Sequence, residues 1–441
     1  MNLSILSPFR RSLVLGMAVA AAGLLAPAQQ AVAAGTSKTG VVCTTGAAGA
    51  PVFTLTAKEG YIQLPDGNTM YMWSYASGGS DFQYPGPVLC VNEGDTVTVV
   101  LSNQLAEDVS IMFPGQEGVL ANGSAAQPQG SGAGLTSLTN VAPVGGSVTY
   151  SFVASRAGTF VYESGTEPQK QVRMGLFGML IVRPAGHADQ LNARSDSQFT
   201  SASATTVNEE FMVQLSEIDP YQHWAAEAGE TFDLSTYHPR YWLMNGRGFP
   251  DTIADNHSAF LPAQPYGSLA RINPWDPIKH PLPGAIRYMN LTTTEIPFHP
   301  HGQNGTVVGR DGAALQTPDG KDASFEKFVV NIGPGQTYDV LFQWYDAEAY
   351  SPTAAAGSAH EFPVAMPQIA NLSLGMFYSG SPFLGMGGPL APGASSLNTC
   401  GEFYIISHNH ALHQIASWGV NITGPITFLR VDPPLPNNCA Q

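Results

Sequence analysis

The two halves of the chain carry the same series of features in the same order. In the first half, a glycine-led apolar run at residues 158–162 precedes Glu163-Ser164-Gly165. In the second half, a similar run at residues 401–406 precedes Ser407-His408-Asn409-His410. Gln169 lies six residues after Glu163, as Gln414 lies six residues after His408, and a glycine-bearing segment follows in both halves. Chance rarely gives such an order, so the sequence predicts two copies of one folding unit.

Short β-strands are predicted for both copies. The chain holds 47 Gly and 34 Pro in 441 residues, as expected when many short strands need tight reversals. A chain of this length also exceeds what one hydrophobic core usually holds. Apolar or alternating runs predict strands at residues 96–101, 109–113, 147–153, 158–162, 176–182, 212–218 and 285–291. The expected architecture is therefore all-β, with two domains.

The expected domain plan follows from these runs and from the composition between them. We expect a first domain at residues 45–184, a connector at 185–240, and a second domain at 241–433 with an irregular insertion near 347–370. Residues 1–34 read as an export signal, because Arg10 and Arg11 precede an apolar stretch and small residues that suit cleavage. The arginine pair leaves both the twin-arginine and the general export route open.

Beyond the signal, the sequence contains no apolar stretch of about 18 residues, the length that a membrane span requires. We therefore expect a periplasmic or secreted protein with no membrane span. The formal net charge of −15 disfavours nucleic acid as a partner and is compatible with small cations. Four cysteines in an exported chain favour disulfides, and we expect Cys43 to pair with Cys90 and Cys400 with Cys439.

Two His-x-His pairs are the strongest chemical signal in the sequence: His299 with His301, and His408 with His410. Side chains alternate along a strand, so both imidazoles of each pair point to one face. Four imidazoles at one site would suit copper or zinc. The alternative is that the four are structural histidines held by hydrogen bonds. His413 falls on the other face if the strand continues, and it is at most an outer neighbour of such a site.

Several segments between residues 60 and 432 resemble multicopper oxidases, which are built from cupredoxin domains. These segments are PGPVLCVNEGDTVTVVLSN, GTFVYESG, QVRMGLFGMLIV, NGRGFPDT, FHPHGQNGTVVGRDG and ISHNHALHQIASWG. The resemblance implies tandem cupredoxin domains, each a Greek-key β-sandwich. It also implies a copper cluster held by four His-x-His pairs, and a separate type 1 copper that receives electrons.

The resemblance carries over only part of that ligand set. Met112 and Pro114 stand where the first pair would lie, and both histidines are replaced in the segment around Glu163. Asn409 stands where the type 1 thiolate would be, and Ile296 where a nearby histidine ligand would be. Glu163 is the candidate for a first-domain ligand, with a solvated or backbone-bonded glutamate as the alternative. Met112 is a candidate soft ligand or a core residue.

Three functions remain open from the sequence. The first is an exported copper-dependent oxidoreductase with a partial histidine cluster and no type 1 copper, acting on an unknown small-molecule substrate or electron donor. The second is a non-enzymatic protein for copper capture or delivery, and the third is a metal-free cupredoxin scaffold. A homo-oligomer is a further expectation, since subunits that join could complete a ligand set that one chain carries only in part.

Overall fold

The computed structural model describes residues 38–184, 210–274, 283–344 and 403–432. Some predicted features lie outside the described residues: the signal at 1–34, most of the connector at 185–209, the insertion at 347–370, and both Cys400 and Cys439. Among the described residues, strands predominate over helices, as the all-β prediction requires. No described helix is both long and apolar enough to cross a membrane.

The described part of the first half forms ten strands and one α-helix. The elements are β1 (Cys43–Thr44), β2 (Val52–Gln63), β3 (Thr69–Ser77), β4 (Val88–Asn92), β5 (Thr96–Asn103), β6 (Leu120–Ala121), β7 (Ser124–Ala125), β8 (Ser147–Val153), β9 (Gly158–Glu163), α1 (Pro168–Met174) and β10 (Phe177–Arg183). They build a sheet in the order β1-β4-β10-β9 and a second sheet in the order β3-β2-β5-β8-β6-β7. The apolar residues of the two sheets meet in a shared core, because each strand turns its alternate residues inward.

The described part of the second half contributes fourteen strands and a second α-helix. The elements are β11 (Glu210–Ile218), α2 (Pro220–Ala228), β12 (Tyr241–Met244), β13 (Ala270–Ile272), β14 (Gly284–Asn290), β15 (Ile296–Pro300), β16 (Gly305–Arg310), β17 (Ala313–Ala314), β18 (Phe325–Lys327), β19 (Val330–Ile332), β20 (Thr337–Phe342), β21 (Phe403–Asn409), β22 (Ala416–Ser417), β23 (Asn421–Ile422) and β24 (Ile426–Val431). Short 3-10 turns lie at Gly132–Gly134, Leu234–Thr236, Asp251–Ile253 and Leu412–Gln414.

Two large sheets and one small hairpin organise these strands. One sheet has the order β12-β11-β14-β20-β16-β17, with β18 paired to β16, and the other has the order β13-β24-β21-β15-β19. The second half thus repeats the two-sheet plan of the first. β11 lies within the predicted connector yet pairs with β12 and β14 of the second half. The exact domain boundaries stay a prediction.

Most of the predicted strands are confirmed, and one is wrong. The strands predicted at 96–101, 147–153 and 285–291 are β5, β8 and β14. The segment 109–113 forms only two isolated bridges, Val109 to Ala142 and Met112 to Glu163. Pro114 follows directly and has no N–H to extend a ladder, and Gly115 then turns the chain with a φ of 85°.

The disulfide between Cys43 and Cys90 is confirmed, with an S–S distance of 2.01 Å. It joins β1 to β4, which are parallel neighbours at the edge of the first sheet. The bond therefore ties the start of the described chain to the first domain.

A buried ionic network joins the two halves. Arg287 on β14 donates from Nε to Glu210 Oε1 at 2.6 Å and from Nη1 to Asp339 Oδ1 at 2.9 Å. The same Nη1 donates to Thr159 Oγ1 of β9 at 2.8 Å. Arg183, the last residue of β10, pairs with the other carboxylate oxygen of Glu210. Charged groups of both halves therefore satisfy one another away from water.

Candidate metal centre

The two His-x-His pairs lie at the ends of neighbouring antiparallel strands: His299 is in β15 and His408 is in β21, and His301 and His410 each follow directly after the strand. β15 pairs with β21 so that His299 is directly opposite His408. His301 N donates to the Ile406 carbonyl at 3.1 Å, and His410 N donates to the Pro297 carbonyl at 2.7 Å, so the pairing continues on both sides. Because direct partners and second neighbours share a face, this register puts all four imidazoles on one side of the sheet.

The residues that alternate with the histidines along the two strands explain why the histidine face points outward. Ile296, Phe298, Ile405 and Asn409 alternate with the histidines and are at most 1% exposed. Their side chains point toward the interior of the second half, and three of them, Ile296, Phe298 and Ile405, belong to its hydrophobic core. The apolar alternation therefore fixes the histidines on the opposite face, where His410 is exposed and the other three are half-buried.

The four rings converge. The ring centroids of His299 and His301 are 4.4 Å apart, and those of His301 and His408 are 5.1 Å apart. His410 lies 5.4 Å from His299 and 5.5 Å from His408. His301 Nε2 and His408 Nε2 are 3.0 Å apart. Two nitrogens that share a tetrahedral ion at about 2.0 Å would lie about 3.3 Å apart, so this spacing is close to that of a shared metal ion.

Backbone carbonyls fix the rings of His299 and His408. The Nδ1 of His299 donates to the Phe328 carbonyl at 2.6 Å, and the Nδ1 of His408 donates to the Asn409 carbonyl at 2.8 Å. A carbonyl only accepts, so in the neutral form each ring carries its proton on Nδ1, and its Nε2 can accept a hydrogen bond or bind a metal. Such outer hydrogen bonds are usual for imidazole ligands of metals. His301 must then be the donor in its contact with His408, and it would give up that proton when a metal binds.

The electrostatic surroundings keep two of these rings neutral. Burial, and then repulsion from any positive charge on the neighbouring histidines, lowers the pKa of His301 below its ordinary 6.5. Burial likewise lowers the pKa of His408, against the opposing effect of the Asn409 carbonyl. Neutral imidazole is the ligand form, so the cluster suits copper or zinc. Within the described ranges, no three His, Cys, Asp or Glu side chains are already arranged as a metal site. The metal-binding role of the four histidines stays a prediction.

In both halves, a buried polar side chain next to a candidate site residue is held by a hydrogen bond to a glutamine. Asn409 is 0% exposed, and its Nδ2 donates to Gln414 Oε1 while Gln414 Nε2 donates to Thr294 Oγ1 at 2.8 Å. In the first half, Ser164 is equally buried and donates to Gln171 Oε1 at 2.6 Å. Gln169, which matches Gln414 in the spacing of the sequence repeat, is exposed, and Gln171 makes this contact instead.

The first-half candidates Met112 and Glu163 lie beside each other. Met112 and Glu163 exchange two backbone hydrogen bonds, at 2.7 and 3.1 Å. A Cβ on Gly165 would lie 2.7 Å from Met112 Cγ, so the methionine side chain fills the space over that glycine. In the described part of the chain, no hydrogen bond or ring contact joins Met112 or Glu163 to any of the four histidines. His413 is exposed and packs against Trp242 at 6.0 Å.

Burial raises the pKa of Glu163 from 4.5 to about 7. Between those values the folded chain binds this proton more tightly than the unfolded chain does, so the free energy of unfolding falls as pH rises. We expect Glu163→Gln to remove this fall and to stabilise the protein at pH 8 by about 1–3 kcal/mol. Urea unfolding at pH 4.5 and pH 8 checks it, with Glu117→Gln at an exposed position as the control. Equal pH dependence in wild type and Glu163→Gln would contradict the assignment.

The chain is similar in sequence to multicopper oxidases. The multicopper oxidase family model matches residues 58–187. An L-ascorbate oxidase of Cucumis sativus is 36% identical over 107 residues, 24% of this chain and 17% of that protein. An L-ascorbate oxidase of Nicotiana tabacum is 26% identical over 345 residues, 71% of this chain and 55% of that protein. The chain thus matches less than two thirds of the length of these relatives.

Solved structures agree on the fold. The multicopper oxidase mgLAC matches with a TM-score of 0.56 at 19% identity, over 86% of each chain. The blue copper oxidase from Nitrosomonas europaea matches with a TM-score of 0.54 at 18% identity, over 87% of this chain and 85% of that one. The predicted all-β cupredoxin fold is therefore confirmed. The chain is therefore similar to multicopper oxidases in the matched sequence segment and in its cupredoxin fold, and that family implies copper as the cofactor.

Proposed function

We propose that this chain is an exported copper-binding protein in which His299, His301, His408 and His410 hold copper as a partial cluster. The convergence of four imidazoles from β15 and β21 carries this proposal, above all the 3.0 Å between His301 Nε2 and His408 Nε2. Copper bound there would supply one-electron redox chemistry. The export signal and a periplasmic or secreted location belong to the same proposal.

The chain's own residues have defined tasks in this proposal. The strand pairing sets the spacing of the four rings, and the carbonyls of Phe328 and Asn409 keep two Nε2 lone pairs directed at the cluster. His301 releases the proton that it shares with His408. His410 is exposed, so a small-molecule substrate or electron donor can reach the cluster directly.

A type 1 copper is absent from this proposal. Asn409 lies between His408 and His410 in the sequence, and its carboxamide is hydrogen-bonded to Gln414 and to the backbone N–H of Ala411. Ile296 is fully buried in the apolar core. Neither residue offers the thiolate or imidazole that a blue-copper centre needs. Electrons would then enter through a route other than a copper thiolate.

Two activities are compatible with such a site. The first is a copper-dependent oxidoreductase, which the resemblance to the family favours. The second is copper capture or delivery, which the exposure of His410 favours, because an ion can be passed to a partner at the surface. Oxidation of a small-molecule donor by the copper-loaded protein, or its absence, separates them.

The proposal is tested by the spectra of protein loaded with Cu(II). We expect electron paramagnetic resonance to show coupling to imidazole nitrogens, and we expect no intense visible charge-transfer band because no thiolate is bound. An intense blue band would overturn the statement on type 1 copper. A copper signal without nitrogen coupling would overturn the histidine site and favour a metal-free scaffold with adventitious copper.

A further inference from the structure

A chain of aromatic rings runs from the surface to a buried tyrosine. Trp224 and Tyr221 are 45% and 54% exposed on α2, and their ring centroids are 5.3 Å apart. Tyr221 contacts Trp418 at 6.4 Å, and Trp418 contacts Tyr241 at 6.1 Å. Tyr241 is only 2% exposed. Successive rings are therefore close enough for an electron to pass from one to the next without crossing a wide gap.

The phenol at the inner end of this chain is bonded to a carboxylate. Tyr241 Oη donates to Asp66 Oδ2 at 2.7 Å. It accepts from Trp418 Nε1 at 2.6 Å and from Asn68 Nδ2 at 3.2 Å. Asn68 also donates its backbone N–H and its side-chain amide to Asp66, at 3.1 Å each, which fixes the carboxylate. The hydrogen atom of the phenol thus has one defined base to go to.

This geometry suits removal of an electron together with a proton. Burial raises the pKa of Tyr241 above 10, so the phenol stays protonated at neutral pH. A phenol that loses an electron becomes a strong acid, and it keeps the radical neutral only if a base takes its proton. Asp66 is that base, and the proton needs to travel only along an existing hydrogen bond.

The ring chain is also held in place. Asp219 caps α2 by accepting from the Tyr221 N–H, and Pro220 occupies the first helical position. Trp418 has a φ of 54°, a strained conformation for a bulky residue that costs about 1–3 kcal/mol. The backbone N–H of Trp418 donates to the Arg240 carbonyl at 3.1 Å, and the Arg240 guanidinium lies 5.4 Å from the Trp418 ring. Three contacts, with Tyr241, Tyr221 and Arg240, therefore hold Trp418, which is itself 39% exposed, against the buried phenol.

We propose that Tyr241 is a redox-active tyrosine, which exchanges single electrons with the surface through Trp418, Tyr221 and Trp224. A one-electron oxidant at the surface, a transition-metal complex in its higher oxidation state, takes one electron, and the oxidation state of its metal falls by one. The Tyr241 O–H bond breaks, its proton forms a new O–H bond to Asp66 Oδ2, and Tyr241 becomes a neutral phenoxyl radical. Return of one electron to Tyr241 and of the proton from Asp66 restores the starting state. The inference is independent of the copper site.

The test uses the mature, metal-free chain and a photogenerated ruthenium polypyridyl oxidant, with the tyrosyl radical followed by transient absorption and electron paramagnetic resonance. We expect Tyr241→Phe to abolish the long-lived tyrosyl radical signal. Asp66→Asn keeps an acceptor for the hydrogen bond but removes the base, and we expect it to slow formation of that radical by about a hundredfold. Trp418→Leu, which interrupts the ring chain, should slow it as well.

Tyr84→Phe is the matched control, because Tyr84 is a fully buried tyrosine that donates to a hydroxyl, Ser216 Oγ, at 2.8 Å. It should leave the radical signal unchanged. The proposal is overturned if the long-lived radical persists in Tyr241→Phe, or if Asp66→Asn forms it at the wild-type rate. Thermal melting confirms that each variant is folded, and if Tyr241→Phe does not fold, the Asp66→Asn and Trp418→Leu rates decide the question.

Discussion

Replacing Arg287 with methionine is expected to lower the free energy of unfolding by about 3–5 kcal/mol, the usual cost of breaking a buried ion pair by removing one partner. Arg287 is 1% exposed and satisfies Glu210, Asp339 and Thr159 together. Methionine fills the space of the arginine's aliphatic stem and has no charge, so it would leave the Asp339 carboxylate buried without its cation. Glu210 would keep Arg183 alone.

Urea unfolding at neutral pH measures this effect, and Arg310→Met provides the matched control. Arg310 pairs with Asp311 at 3.3 Å, but its side chain is 47% exposed and that of Asp311 is 50% exposed. We expect the control to change stability by less than about 1 kcal/mol, because surface pairs are screened by water. Similar losses in both variants would show that the Arg287 network adds nothing beyond an ordinary surface charge.

The double variant His408→Ala/His410→Ala is expected to lose copper binding. Changing even an outer hydrogen-bond partner of a metal ligand typically costs about 10–100-fold in affinity, so losing two of four ligands should cost at least the upper end of that range. Equilibrium dialysis against buffered copper, followed by elemental analysis, measures the loss. His413→Ala is the control, because His413 lies in the same segment but packs against Trp242 outside the cluster.

An unchanged copper affinity in the double variant would exclude the histidine cluster as the site. A loss of copper in the His413→Ala control as large as in the double variant would instead point to general damage in this segment. Near-ultraviolet circular dichroism on all three proteins separates loss of ligands from loss of the fold.

Hydrophobic patterning made most of the β-strands predictable from the sequence. The expectation that each His-x-His pair on a strand shares one face agrees with the structure, in which His299 lies in β15 and His408 in β21, and His301 and His410 follow directly after them. Helix α2 was missed, although Asp219, Pro220 and Gly229 form a usual start and end for a helix. The segment was interpreted as a polar connector, and these helix start and end residues were not used.

The long-range contacts were not predictable. Glu210, Arg287 and Asp339 are far apart in the sequence, and each alone looks like a solvated charge on a strand. The carbonyls of Phe328 and Asn409 that fix the histidine rings carry no sequence signature, because every residue has a carbonyl. The register that sets His299 opposite His408 depends on strand pairing across more than a hundred residues.

Copper-edge anomalous diffraction from crystals of the copper-loaded protein tests the central claim most directly. We predict an anomalous peak about 2.0 Å from the Nε2 atoms of at least two of the four histidines, His301 and His408 among them. The same crystals should show no comparable peak at Asn409. A copper-loaded crystal with no peak at the four imidazoles, or with its peaks only at other residues, would contradict the claim that these histidines hold the metal.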